Sequence, residues 1–339
     1  MLYFSALRRV FVNKPWFGNP TQAALLMAGI LLVVWGCCAI WLDVLPLSGF
    51  AIIKTVLIIT LLGILLWLRP FRSSSRLAAM FRWYVWLCVY FIITDGLSSL
   101  ALYSTPFASI DAALAHADGF FGYNAAATLA WVHAHQWVGR FSIVFYNSLS
   151  VELVLLPFVL ALLGDRKSFE RIMIMGVVAT VIGLLFYFFF PSSGTADVEP
   201  SRYYNATQLD AIKQFYFIQH HIPDPFKNVP MVSCPSFHTI WAIMIAFAFI
   251  RHPKIFVPVL IWNVLILIST LTTGWHFLVD VLAGIALSAF SIGIACWVQR
   301  FSIHESVVPK KIAGAPGSDW ALNLCAVLLL VADVMIFIL

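Results

Sequence analysis

The sequence predicts an all-α, polytopic integral-membrane bundle of about nine transmembrane helices. Three observations predict it. Of 339 residues, 62% are hydrophobic and 10% charged, with a mean hydropathy of +0.94, a balance foreign to soluble domains. Apolar runs of roughly 20 residues, the length that crosses a bilayer, recur along the chain. Basic residues cluster in alternate connections between those runs.

Taken in order, residues 1–20 mix basic and aromatic side chains and read as an interfacial helix. Arg8, Arg9 and Lys14 precede a full-length apolar run, so that run reads as a retained span rather than a cleaved signal. Apolar runs follow at 21–42, 47–68, 82–103, 141–163, 170–190, 236–250, 255–273, 276–299 and 320–339. The run at 236–250 is short and is expected to begin upstream or to tilt. Lys54 and Asp95 fall at matched depth in neighbouring spans and are expected to pair.

Under nine spans every basic cluster falls on one side: Arg8 to Lys14, Arg69 to Arg82, Arg166 to Arg171, Arg251 with Lys254, and Arg300 to Lys311. The positive-inside rule makes that side cytoplasmic. The connections 104–139 and 191–235 then face outward, and a loop as long as the second is often a functional lid. Three regions follow: N-terminal spans over 1–103, a core over 104–299, and a linker with a final span over 300–339.

The formal net charge of +5 fits cytoplasmic loops, and no basic patch with interleaved aromatics suggests a nucleic-acid partner. Five of the six cysteines lie in apolar runs without metal-site spacing and read as small buried hydrophobes. Neither His133-x-His135 nor His220-His221 has partners at a metal-ligand spacing, so no metal and no cofactor is expected.

Two polar clusters interrupt the apolar pattern: Val232-Ser233-Cys234-Pro235-Ser236-Phe237-His238-Thr239 and Thr272-Thr273-Gly274-Trp275-His276-Phe277-Leu278-Val279-Asp280. A helix down and a helix back would bring His238 and His276 to one surface. His276 and Asp280 stand four apart, on one face if helical. A carboxylate on one imidazole nitrogen fixes the tautomer and frees the other to attack. His238 follows a proline at an expected helix start, where free N–H groups attract anions. A phosphate docked there would meet one histidine as nucleophile and another as proton donor. Ser236 reads both as an N-cap and as a phosphate contact.

On these residues the chain resembles the type-2 phosphatidic acid phosphatase superfamily, and within it the branch containing inositol phosphorylceramide synthases, in a bacterial-type form. Pro235-Ser236-Phe237-His238 matches the second motif, and His276 to Asp280 ends the third. Asp111 to Trp131, Tyr146 to Leu149 and Phe190 to Gly194 also look like that branch. The resemblance implies a phosphatase-like core, a phosphohistidine on His276, Asp280 as its partner and His238 as general acid. The substrate it implies is a phosphorylated lipid, with an alcohol acceptor where the reaction is transfer rather than hydrolysis.

The chain departs from the pattern in two places. Thr270 stands where the third motif usually has arginine, and no Lys-x6-Arg-Pro first motif is present. A phosphate dianion needs positive charge nearby, so a loop cation is expected to serve. Arg202, close after the Pro191 to Gly194 turn, is the choice, with Thr270 as a hydroxyl donor. Tyr146, Asn147 and Gly194 are candidate pocket residues, and Glu152 reads as an interhelical hydrogen-bonding group.

The expected activity is therefore a membrane lipid phosphatase or phosphotransferase in a bacterial inner membrane, its site facing the periplasm. Intramembrane charges also mark transport paths, but the chain has no repeated halves. A scaffold that has lost catalysis is the third reading, and Thr270 is its support.

Overall fold

The computed structural model describes residues 76–220, 222 and 233–302, with backbone alone for 301 and 302. The expected spans 21–42, 47–68 and 320–339, the interfacial segment 1–20 and Lys54 lie outside the described residues. Asp95 is exposed on its helix.

The described residues are helical, without strands. They form α1 (Arg76–Ser104), α2 (Asp111–Phe120), α3 (Ala125–Ala134), α4 (Gln136–Leu163), α5 (Arg166–Phe189), α6 (Ala206–Gln219), α7 (Phe237–Ala248), α8 (Pro253–Thr272) and α9 (Leu278–Ser302), with a 3-10 turn at Thr195–Asp197. Helices α1, α4, α5, α8 and α9 are long and apolar enough to cross a membrane. Helix α7 has 12 residues, about 18 Å of rise, which is short of a roughly 30 Å hydrocarbon core. Its start at Phe237 is therefore sunk into the bundle rather than level with the longer helices.

Local chemistry sets the ends of these helices. Asn124 caps α3 by accepting Ala127 N at 2.7 Å, and Asn205 caps α6 in a reciprocal box with Gln208. Asp165 caps α5. Gly164, with φ 68°, closes α4 in the left-handed conformation. Pro253 opens α8, where its missing N–H costs nothing.

Helix α5 lies at the centre of the bundle, packed by α1, α7 and α9. Trp83 stacks on Phe169 with ring centroids 4.8 Å apart. The Tyr90 hydroxyl meets Thr180 Oγ1 at 3.0 Å and accepts from Trp241 Nε1 at 3.2 Å, tying α1, α5 and α7 at one point. Such polar ties matter in lipid, where apolar contact alone gives little preference for helix over lipid tail. Val257, Ile261, Val264 and Ile268 leave one side of α8 exposed and apolar, as a lipid-facing surface requires.

Candidate active site

Ser236 builds one wall. Its extended backbone (φ −65°, ψ 109°) places Oγ 3.3 Å from Thr239 N, the N-cap of α7. His238 therefore sits in the first turn, partly exposed, while Ser236 and Phe237 are buried. Among the described residues the N–H groups of Phe237 and His238 take no acceptor.

The other wall starts where α8 ends. Gly274, with φ 72°, reverses the chain, and Trp275 N bonds back to Thr270 O at 3.2 Å. His276 follows in the bend, two residues before α9, so it and Asp280 do not share one helix face. Asp280 instead reaches back from the first turn. Its Oδ2 accepts Ser233 Oγ at 2.7 Å and Phe277 N at 3.0 Å, and meets His276 Nδ1 at 3.4 Å. Asp280 is 0% exposed and His276 4%. With Nδ1 held, Nε2 of His276 takes no partner among the described residues.

The two histidines come together with ring centroids 5.6 Å apart. Tyr146 stacks on His238 at 4.4 Å and lies parallel to Trp275 at 6.3 Å. Tyr146 is ten residues into α4, which begins at Gln136, so the histidine pair lies about 15 Å along that helix from its start. The site is recessed within the bundle.

A roof covers it. Asp111 of α2 accepts from Ser192 Oγ at 2.5 Å, Ser193 N at 2.8 Å, Ser193 Oγ at 2.6 Å and Gly194 N at 3.3 Å. This fixes the Pro191 to Gly194 turn. Gly194 has φ 120°, and a Cβ there would lie 3.8 Å from the carbonyl oxygen of Trp275. The turn bearing His276 is gripped carbonyl by carbonyl. Tyr123 Oη donates to Leu271 O at 3.1 Å, Gln208 Nε2 to Thr273 O at 3.0 Å, and Thr195 Oγ1 to Gly274 O at 2.6 Å.

Of the sequence-derived candidates, His238, His276, Asp280, Ser236 and Tyr146 converge, and Gly194 lies in the roof. Thr270 is buried beside them, but its hydroxyl donates to Leu267 O at 2.7 Å within its own helix. Arg202 is exposed; it donates to Tyr203 Oη at 2.8 Å and lies over that ring. Asn147 is exposed on α4. Glu152 lies deeper, facing Asn263 of α8. His133 stacks on Tyr203, and His135 bonds Trp131 O.

The sequence reading missed Asp118, Ser233, Thr195, Gln208 and Tyr123. Asp118 is fully buried, and its carboxyl is raised to about 6. Burial is the main cause; the neighbouring Asp280 and Glu199 carboxylates add to it, and two backbone N–H groups oppose it. Burial also pushes the Cys234 thiol up, helped by Asp280, so it stays protonated and is no competing nucleophile.

Chemically, this arrangement offers a held imidazole with a free nitrogen, a second imidazole across a small gap, and a helix end with open N–H groups. No curated protein and no solved structure matches the chain. A family model described as PAP2 superfamily matches residues 112–294, more than half of the chain and including both histidines and Asp280, so the chain belongs to the PAP2 superfamily.

Proposed function

We propose that this protein cleaves the phosphoryl group from a phosphorylated lipid through a phosphohistidine on His276. The observation that carries the reading is His276, held through Nδ1 by buried Asp280, with His238 across a 5.6 Å ring separation. Nε2 of His276 attacks phosphorus while His238 gives its proton to the departing oxygen. His238 then takes a proton from water or an alcohol, whose oxygen displaces His276. The phosphoryl oxygens rest at the open N–H groups of Phe237 and His238, with Ser236 shaping that helix end. Thr270 and Arg202 assist once their present partners, Leu267 O and Tyr203, are released.

The recess supports a lipid substrate, since a head group reaching about 15 Å along α4 enters most directly from the bilayer. The alternation of basic loops supports a site on the outer leaflet, which in a bacterial inner membrane is the periplasmic side. Transfer to an alcohol, as in the inositol phosphorylceramide synthase-like branch, is the second reading. It is favoured by the burial of His276 under the roof, because a site that sheds water protects a phosphohistidine from hydrolysis.

The test is phosphate release from vesicles containing phosphatidic acid, with and without alcohol acceptors, for wild type and His276→Ala. Release that depends on His276 supports hydrolysis, and acceptor-dependent product supports transfer. Equal rates in the two proteins overturn the enzyme reading, in favour of a transporter or an inactive scaffold.

A further inference from the structure

Helix α9 begins without an N-cap side chain of its own. Its cap position is Phe277, which has no side-chain oxygen, so the N–H groups there need acceptors from elsewhere. Asp280 supplies one by reaching back to Phe277 N at 3.0 Å. Asp118, from α2, supplies the next two, accepting Leu278 N at 2.8 Å and Val279 N at 2.9 Å. Asp118 is 0% exposed, so solvent water is no ready substitute. Seven residues earlier in α2, and so on the same helix face, Asp111 holds the roof turn. One short helix thus fastens the roof with one carboxylate and the start of α9 with the other.

We infer that Asp118 is a positioning residue for the reaction, holding the start of α9 so that Asp280 keeps His276 aligned with His238. The inference rests on the phosphohistidine reading. Two physical consequences give Asp118 this role. The His276 to Asp280 contact is long, 3.4 Å, so a slide of α9 by a few tenths of an ångström makes or breaks it. A helix end with free N–H groups is also an anion site, and two carboxylates fill this one. Among the described residues at the site, the phosphoryl group is thereby left the open helix end of α7, beside the two histidines.

Two carboxylates act on the charge of Asp118, Asp280 on α9 and Glu199 after the 3-10 turn; the Tyr123 phenol and the Cys234 thiol, both pushed up and so neutral, also feel it. Protonation at acid pH removes an acceptor from the α9 cap. The positioning role therefore adds an acid limb to the rate profile near pH 6.

The experiment uses the full-length protein in vesicles of phosphatidylcholine with phosphatidic acid, comparing wild type, Asp118→Asn, Asp118→Ala, Leu278→Pro and His276→Ala. Leu278→Pro removes one donor at a first helical position, where proline is tolerated. The expected result is a kcat loss of about 100-fold for Asp118→Ala and about 10-fold for Asp118→Asn and Leu278→Pro, with little change in KM. The acid limb should vanish in Asp118→Asn. A readout independent of turnover is the NMR shift of the Val279 amide, whose N–H Asp118 accepts, against pH. It should inflect near pH 6 in wild type and lose that inflection in Asp118→Asn. Wild-type kcat, profile and inflection in the folded Asp118 and Leu278 variants, with His276→Ala inactive, overturn the positioning role. Equal activity of wild type and His276→Ala overturns the parent reading instead, and the NMR comparison still decides for or against Asp118.

Discussion

The backbone N–H of Ser236 donates to the backbone carbonyl of Asp280 at 3.1 Å. The N-cap of α7 is thereby bonded to the first turn of α9, and the two polar clusters are joined through main chain as well as through the Ser233 to Asp280 side-chain bond. A bond of this kind requires the helices to touch backbone to backbone. Gly284, one turn beyond Asp280, permits it: a Cβ there would lie 2.8 Å from Ser236 O and 2.9 Å from Thr239 Cβ.

Gly284→Ala should therefore part α7 from α9, cost about 1–3 kcal/mol through overpacking, and lower kcat by pulling His238 from His276. Alanine is the better helix former by about 1 kcal/mol, so a net loss would isolate the packing effect. Gly293→Ala is the control, since nothing lies within 4 Å of a Cβ at that position, and it should be neutral or stabilising. Detergent-phase thermal unfolding and lipid phosphatase assays of both variants check this. Equal behaviour of the two would show that the close approach does no work.

At the opposite end of the bundle, Asp165 accepts from Ser168 N and Oγ, from His252 Nε2 at 2.9 Å and from Arg251 Nη1 at 3.3 Å. Burial pushes its carboxyl up, but the hydrogen bonds from Ser168 and His252 and the charge of Arg251 outweigh that and leave it below 3.8. A lowered folded value stabilises above the unfolded value, and that stability is lost as pH falls through the folded one. Asp165→Ala should cost about 1–2 kcal/mol at pH 7 as a lost cap. The gap from wild type should narrow below pH 4. Unfolding midpoints at the two pH values check it; a gap unchanged at pH 3 would remove the carboxylate's charge from the account.

The chemistry of the site was legible in residue types, and its construction was not. Spacing put His276 with Asp280, but as neighbours on a helix face. The actual contact reaches back across a helix start, because Gly274 turns the chain and leaves His276 ahead of α9. The expectation that the run at 236–250 begins upstream fails at Ser236, whose side chain caps α7 there. Arg202 was chosen as the nearest loop cation, yet an exposed guanidinium has an aromatic ring at hand in Tyr203 and lies on it. Thr270 follows the habit of threonine within helices and bonds its own backbone. Asp118 left only an indirect trace. A phenylalanine at a helix start demands an acceptor from outside, but nothing local says that α2 provides it.

Orientation is checked by labelling. Lys213→Cys, in the outer connection, should react with an impermeant thiol reagent on intact cells, in a background with the native cysteines replaced. Lys167→Cys, in a basic loop, should react only after permeabilisation. Reaction at 167 alone would reverse the membrane orientation and put the site on the cytoplasmic side.

The division of labour between the histidines follows from what each ring touches. His276 has Nδ1 committed to a carboxylate that is itself held by Ser233 and Phe277 N. In the proposed mechanism Nε2 is the attacking nitrogen, and Asp280 would set the tautomer and stabilise the imidazolium formed on attack. Among the described residues His238 has no carboxylate partner, and it stacks on Tyr146. A ring oriented by stacking alone keeps both nitrogens free for proton transfer, which suits an acid and then a base. His276→Ala should abolish turnover and the covalent intermediate together. His238→Ala should slow formation of the intermediate by about 100-fold or more with phosphatidic acid. The loss should be much smaller with an aryl phosphate whose leaving group needs no proton. Asp280→Asn should leave KM largely intact and cut kcat, because an amide can hold the wrong tautomer of His276. Trapping of phosphohistidine from a labelled aryl phosphate decides among these. Label that persists in His276→Ala and disappears in His238→Ala would exchange the two roles, and with them the part Asp280 plays.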